Sequence, residues 1–149
     1  MSKDFSELLQ ALLDEGVRFL VVGAYAVAVH GIPRATVDLD IWIDPESGNA
    51  AKAYRALARF GAPMDTLSVA DLARPDLEFQ LGVPPHRIDV RTRITGVGFA
   101  EAWPNRVEVS VEGILVPVIG RDALVANKRA TGRPKDLVDL DVIERLQPI

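Results

Sequence analysis

From Arg34 to Ile41 the chain alternates, with Arg34, Thr36, Asp38 and Asp40 on one side and Ala35, Val37, Leu39 and Ile41 on the other. That period predicts a strand with one face buried. Aspartate is depleted in strands, so two acids two residues apart among Val, Leu, Ile and Trp require a reason. Both carboxylates fall on one face, where each opposes ionisation of the other. A divalent cation removes the conflict, because clustered hard oxygen ligands are what Mg²⁺ or Mn²⁺ prefers. The plain alternative is a sheet edge whose acids face water, as Asp44 is expected to do.

The flanking residues favour the cation. Residues 17–22, apolar except for Arg18, suit a strand buried on both faces, and the run ends at Gly23. Residues 24–30 are small, apolar and bounded by Gly23 and Gly31; alanine content favours a short helix over a strand. A glycine between strand and helix lets backbone N–H groups approach a phosphate, and the helix terminus favours negative charge. Arg34 and Thr36, on the face of the two aspartates, are placed to reach phosphate oxygens. A phosphate cradle beside a metal site is the equipment of phosphoryl or nucleotidyl transfer.

The rest of the chain predicts one α+β domain over residues 1–149, a mixed sheet flanked by helices with a helical pair at the C-terminal end. Phe5, Leu8, Leu9, Leu12 and Leu13 keep helical spacing, with Ser2 or Asp4 as cap and Gly16 as stop. Residues 47–60 read as an amphipathic helix ended by Gly61. Strands are expected at 77–81 and 87–92, around Pro84 and Pro85. Val107, Val109 and Val111 alternate with polar residues, and Gly113 turns the chain into 114–119, a hairpin. Asp122 is expected to cap a helix to about residue 130, and Pro134 to open a last one.

The net charge of −4 argues against broad electrostatic capture of nucleic acid. Local basic groups remain at Arg87, Arg91 and Arg93, and at Lys128, Arg129, Arg133 and Lys135. The absence of cysteine excludes thiolate metal sites and cysteine nucleophiles and fits a reducing compartment, with the cytoplasm as the default. The longest apolar stretch, residues 19–29, is too short for a membrane span, and the N-terminus lacks the layout of a signal peptide.

The stretch Val21-Val22-Gly23-Ala24-Tyr25-Ala26-Val27-Ala28-Val29-His30-Gly31-Ile32-Pro33-Arg34-Ala35-Thr36-Val37-Asp38-Leu39-Asp40 resembles the signature region of the DNA polymerase β-like nucleotidyltransferases. It is most similar to small bacterial AbiEii-type toxins and minimal nucleotidyltransferases. Residues 124–140, with Lys128, Asp136 and Asp139, resemble that superfamily's lysine helix and the acidic helix after it. The resemblance implies transfer of a nucleoside monophosphate from a nucleoside triphosphate, with Mg²⁺ or Mn²⁺ on Asp38 and Asp40. With Arg34 and Thr36 on the aspartate face, Gly23 and Ala24 are then expected to meet the triphosphate, and the resemblance implies that Lys128 contacts the triphosphate or a site carboxylate, with Asp136 supporting the lysine. Similarity to toxins implies an RNA (tRNA) or protein acceptor and a cognate antitoxin or other partner protein. Ala24 departs from the pattern, which has glycine or serine there. That departure supports the alternative of a catalytically inactive nucleotide-binding or antitoxin-like module.

Asp89, between Ile88 and Val90, matches the third acid of the pattern, a further metal ligand and the acceptor base; Glu78 competes for the role. Arg91 and Arg93, on the face of Asp89, bind the acceptor or balance charge. His30 reads as a favourable charge at a helix end, His86 as an exposed loop residue, and Trp42 and Trp103 as core or rim packing. No serine stands in a hydrolase pattern.

Overall fold

The computed structural model describes residues 1–34, 38–83 and 86–146. Helix α1 (Lys3–Asp14) is capped by the Ser2 hydroxyl, which accepts from the Phe5 N–H, and it buries Phe5, Leu8, Leu9 and Leu12. Strand β1 (Phe19–Val22) is buried along its whole length and passes without a loop into α2 (Gly23–Val29). Strand β2 (Asp38–Ile43) follows, then α3 (Ser47–Phe60), whose left-handed stop is Gly61. Next come α4 (Val69–Leu72), β3 (Glu78–Leu81), β4 (Arg87–Arg91) and α5 (Phe99–Ala102). The hairpin β5 (Val107–Val111) and β6 (Ile114–Val118) precedes α6 (Arg121–Thr131) and α7 (Pro134–Arg145).

The strands make one six-stranded sheet in the order β3-β4-β2-β1-β6-β5. It is mixed: β2 pairs in parallel with β4 and β1 with β6, while the remaining neighbours are antiparallel. The expected α+β architecture is therefore the observed one. In β2 the residues 39, 41 and 43 are wholly buried, whereas Asp38 and Asp40 on the opposite face are half-buried. Further along that second face Trp42 is covered by Phe99, edge to face at 5.1 Å. One end of the face is thus roofed by α5, and the end carrying the aspartates stays open.

Several boundaries differ from the sequence expectation. Strand β1 begins at Phe19 rather than residue 17, because the Arg18 N–H is taken by Asn49 Oδ1 at 2.7 Å. Arg34 lies outside regular structure, and the described strand starts at Asp38. Thr36 lies outside the described residues, as do Pro84 and Pro85. Asp122 does not cap α6: the cap position is Gly120, and the Asp122 side chain sits in the first turn, 95 % exposed. The short helices α4 and α5 were not foreseen, although Ser68 and Asp71 form a reciprocal capping box that marks the first of them. Among the described residues no helix is long and apolar enough to cross a membrane.

Asn49, buried at the start of α3, spends its amide on three backbone groups. Its Oδ1 accepts from the Arg18 N–H, and its Nδ2 donates to the Arg18 and Asp44 carbonyls at 3.0 and 2.7 Å. It ties the start of β1 to the end of β2. Asn49→Ala strands these partners, so urea unfolding should show a loss of about 2–3 kcal/mol, well above an ordinary surface change.

Candidate active site

Val22 ends β1 opposite Asp40, so the chain enters α2 directly against that carboxylate. Gly23 holds a φ of +69°, and a Cβ built on it would lie 2.1 Å from Asp40 Oδ2. Backbone sign and space both require glycine here. The parallel register of β2 and β4 then sets Asp38 opposite Arg87 and Asp40 opposite Asp89. Period two puts all these side chains on the open face. Glu78, in register with Arg91 on the edge strand, is exposed; Asp89 lies at the centre of the acidic group, with its side chain 13 % exposed.

The carboxylates are interleaved with guanidiniums. Arg87 Nη2 donates to Asp38 Oδ2 at 2.7 Å, and its Nε lies 3.5 Å from Asp89 Oδ2. Arg91 Nη2 reaches Asp40 Oδ1 at 3.5 Å. In this arrangement Arg91 is paired with Asp40. Burial, reinforced by the neighbouring Asp89 and Asp38 charges, pushes the Asp40 carboxyl up to about 6, against the opposing pull of Arg91 and Arg87. Among the described residues no three acidic or histidine side chains converge closely enough to enclose an ion. The donors nonetheless fit one in kind: three hard carboxylates share one face, each in contact with an arginine.

The facing wall comes from α6 and α7. Lys128 is buried at 8 % exposure, with Nζ 3.0 Å from Asp139 Oδ2 and 3.5 Å from Asp136 Oδ1. Arg34 grips Asp139 with both prongs, at 2.6 and 3.1 Å, and Arg133 Nε donates to Asp136 at 2.7 Å. Burial alone would raise both acids. For Asp136 the hydrogen bonds from Arg133 and Thr131, for Asp139 those from Arg34 and Lys128, outweigh it and hold the carboxyls below the usual range. Asp136 thus supports Lys128 as expected, and Lys128 is no solvated surface lysine.

Asp139 was given no role by sequence reasoning, yet it joins Arg34 to Lys128. Its spacing of three from Asp136, which puts both on one face of α7, was the available signal. His30 is not a free charge: it is buried, and Nε2 donates to the Ile119 carbonyl at 2.8 Å. His86 is exposed, and Trp103 packs at the rim, stacked on Phe99 under Arg106. The sheet face and the α6–α7 wall enclose a cleft of about 720 Å³. It brings together Gly23, Ala24, Arg34, Asp38, Asp40, Asp89 and Lys128.

Because folding raises the Asp40 pKa from 3.8 to about 6, the folded state binds more protons than the unfolded one between those values. Stability falls as pH rises through that window and stays reduced above it, by on the order of 2–3 kcal/mol. In cation-free buffer, Asp40→Asn should therefore raise the melting temperature at pH 8 and leave it nearly unchanged at pH 4.

No known family model matches the sequence, and no curated protein does. Solved structures do match. TM1012 of Thermotoga maritima, a candidate nucleotidyltransferase, aligns with a TM-score of 0.58 at 16% identity, over 95% of this chain and 88% of that one. The antibiotic-resistance factor ANT(2'')-Ia in solution aligns with a TM-score of 0.60 at 15% identity, over 94% of this chain and 80% of that one. Its crystal structure in complex with adenylyl-2''-tobramycin gives 0.59 at 15% identity, over 93% and 84%. The described architecture, a mixed sheet flanked by helices with a C-terminal helical pair, is a nucleotidyltransferase-like fold.

Proposed function

We propose that this protein is a metal-dependent nucleotidyltransferase that moves a nucleoside monophosphate from a nucleoside triphosphate to a hydroxyl on an RNA or protein acceptor. The observation that carries the reading is that Asp38, Asp40 and Asp89 share one sheet face and one cleft with the Gly23 backbone and Lys128. Asp38, Asp40 and Asp89 would hold Mg²⁺ or Mn²⁺. Bound there, the cation would neutralise charge on the phosphoryl oxygens.

The chain's own groups supply the rest. Gly23 puts no side chain of its own between its backbone and the Asp40 carboxylate, so the Gly23–Ala24 backbone would approach the triphosphate. Arg34 and Lys128, fixed by Asp139, set positive charge on the cleft wall, and the sequence alternation adds Thr36, outside the described residues, as a further phosphate contact. Asp89 takes the proton of the acceptor hydroxyl as its oxygen attacks the α-phosphate. A new P–O bond forms, the bond to the β-phosphate breaks and pyrophosphate leaves. Holding these groups in place is most of the catalysis.

The toxin reading, with an antitoxin as partner, rests on the resemblance of residues 21–40 and 124–140. A second reading has one observation in its favour: Ala24 offers no hydroxyl where the superfamily pattern has glycine or serine. In that case the fold binds a nucleotide without transferring it.

Thermal melting with Mg²⁺ and each triphosphate should stabilise the wild type by about 3 kcal/mol at a hundredfold excess over Kd, and should leave Asp38→Ala/Asp40→Ala unmoved. No shift in either protein would remove both nucleotide readings. With α-labelled triphosphates, total RNA and candidate proteins, label should pass to an acceptor and the transfer should vanish in Asp89→Ala. Binding without transfer to any acceptor would leave the inactive module.

A further inference from the structure

The arginines of this cleft differ in how they are held. Arg34 is clamped: both prongs meet Asp139, a carboxylate only 7 % exposed that Lys128 also holds. Arg87 and Arg91 make one hydrogen bond each, the second at the long distance of 3.5 Å, and the Arg87 Nε adds an ion-pair contact to Asp89 at 3.5 Å without hydrogen-bond geometry. Their side chains are 35 % and 32 % exposed, and the Nε of each is buried without a hydrogen-bond acceptor. A guanidinium carries five donors in a rigid fork matched to planar or tetrahedral oxyanions. Most of that capacity is unspent here, on residues that line the cleft.

The two arginines also sit on the three carboxylates that the proposed function assigns to a cation, so the inference rests on that reading. Arg87 touches Asp38 and Asp89, and Arg91 touches Asp40. A divalent cation competes with these ion pairs for the same carboxylates, and where it takes them, two half-buried guanidiniums lose their partners. Leaving such charges unpaired is costly. Triphosphate oxygens in the same cleft would satisfy them.

We propose that Arg87 and Arg91 are displaceable counter-ions: they hold the site carboxylates in the cation-free protein and move to triphosphate oxygens when a divalent cation takes their place. Cation alone then binds weakly, because it must strand both arginines. Cation and triphosphate each raise the affinity for the other by the same factor, as linkage demands. The resting cleft is charge-balanced, and neither ligand occupies it efficiently alone.

The test uses the whole chain and needs no turnover. Mn²⁺ binding, read from the free-ion paramagnetic resonance signal, should tighten roughly fivefold or more in Arg87→Met and in Arg91→Met, with circular dichroism confirming the fold. Loss of repulsion alone would also tighten binding. The wild type is therefore titrated as well, following the guanidinium ¹⁵N–¹H signals of Arg87 and Arg91. These should shift with Mg²⁺ alone and shift again when inorganic tripolyphosphate is added. Signals that ignore Mg²⁺ while Mn²⁺ binds the wild type, or folded variants that bind Mn²⁺ no tighter, overturn the inference and leave the proposed function standing. If a variant unfolds, the wild-type titration decides. No Mn²⁺ uptake by any folded form removes the metal reading, and the inference with it.

Discussion

Everything in the cleft is referred to the contact between the Gly23 backbone and the Asp40 carboxylate. Strands β1 and β2 are the two central strands, and a carboxylate between them would normally be expelled by the cost of desolvation. It stays because the chain gives up a side chain at position 23 and turns straight from strand into helix. That glycine takes the left-handed φ at the turn into α2, and Asp38 and Asp40 line the cleft beside it. The floor of the site is open because one residue has nothing beyond its Cα.

Around that floor the charges fall into two groups with different mechanics. The wall is a closed network in which Lys128, Asp136, Asp139, Arg34 and Arg133 satisfy one another, two of the acids almost without solvent contact. Such a network is costly to break at any single member, so it fixes geometry. The floor is looser, with single contacts and unspent donors on Arg87 and Arg91. A rigid wall opposite an adaptable floor suits a ligand that brings both a cation and an anion.

Much of this was legible in the sequence where the signal is local. The alternation through Asp40 defined the acidic face, the glycine at 61 closed α3 where expected, and Pro134 opened α7. Asp89 was recognisable from its Ile and Val neighbours, although its partnership with Asp40 is a matter of register between strands. What could not be read depends on distant pairs. Arg34 reaches Asp139 across 105 positions, His30 reaches Ile119 across 89, and Asn49 halts β1 from 31 positions away. Composition says nothing about which acid meets which base, and four-residue helices such as α4 and α5 carry too few positions for a period to show.

The bond from Arg34 to Asp139 has a consequence for how the molecule comes into being. Contacts of such sequence separation are slow to form, because loop-closure entropy must be met before they return anything. The parallel pairing of Val21 with Val118 has the same character. A ribosome-bound chain lacking α7 would have Asp38, Asp40 and Asp89 but no anchor for Lys128 or Arg34, hence half a cleft with unmatched charge. Assembly of the cleft is thereby deferred until α7 has docked, because Asp136 and Asp139 reach Lys128 and Arg34 only from that helix.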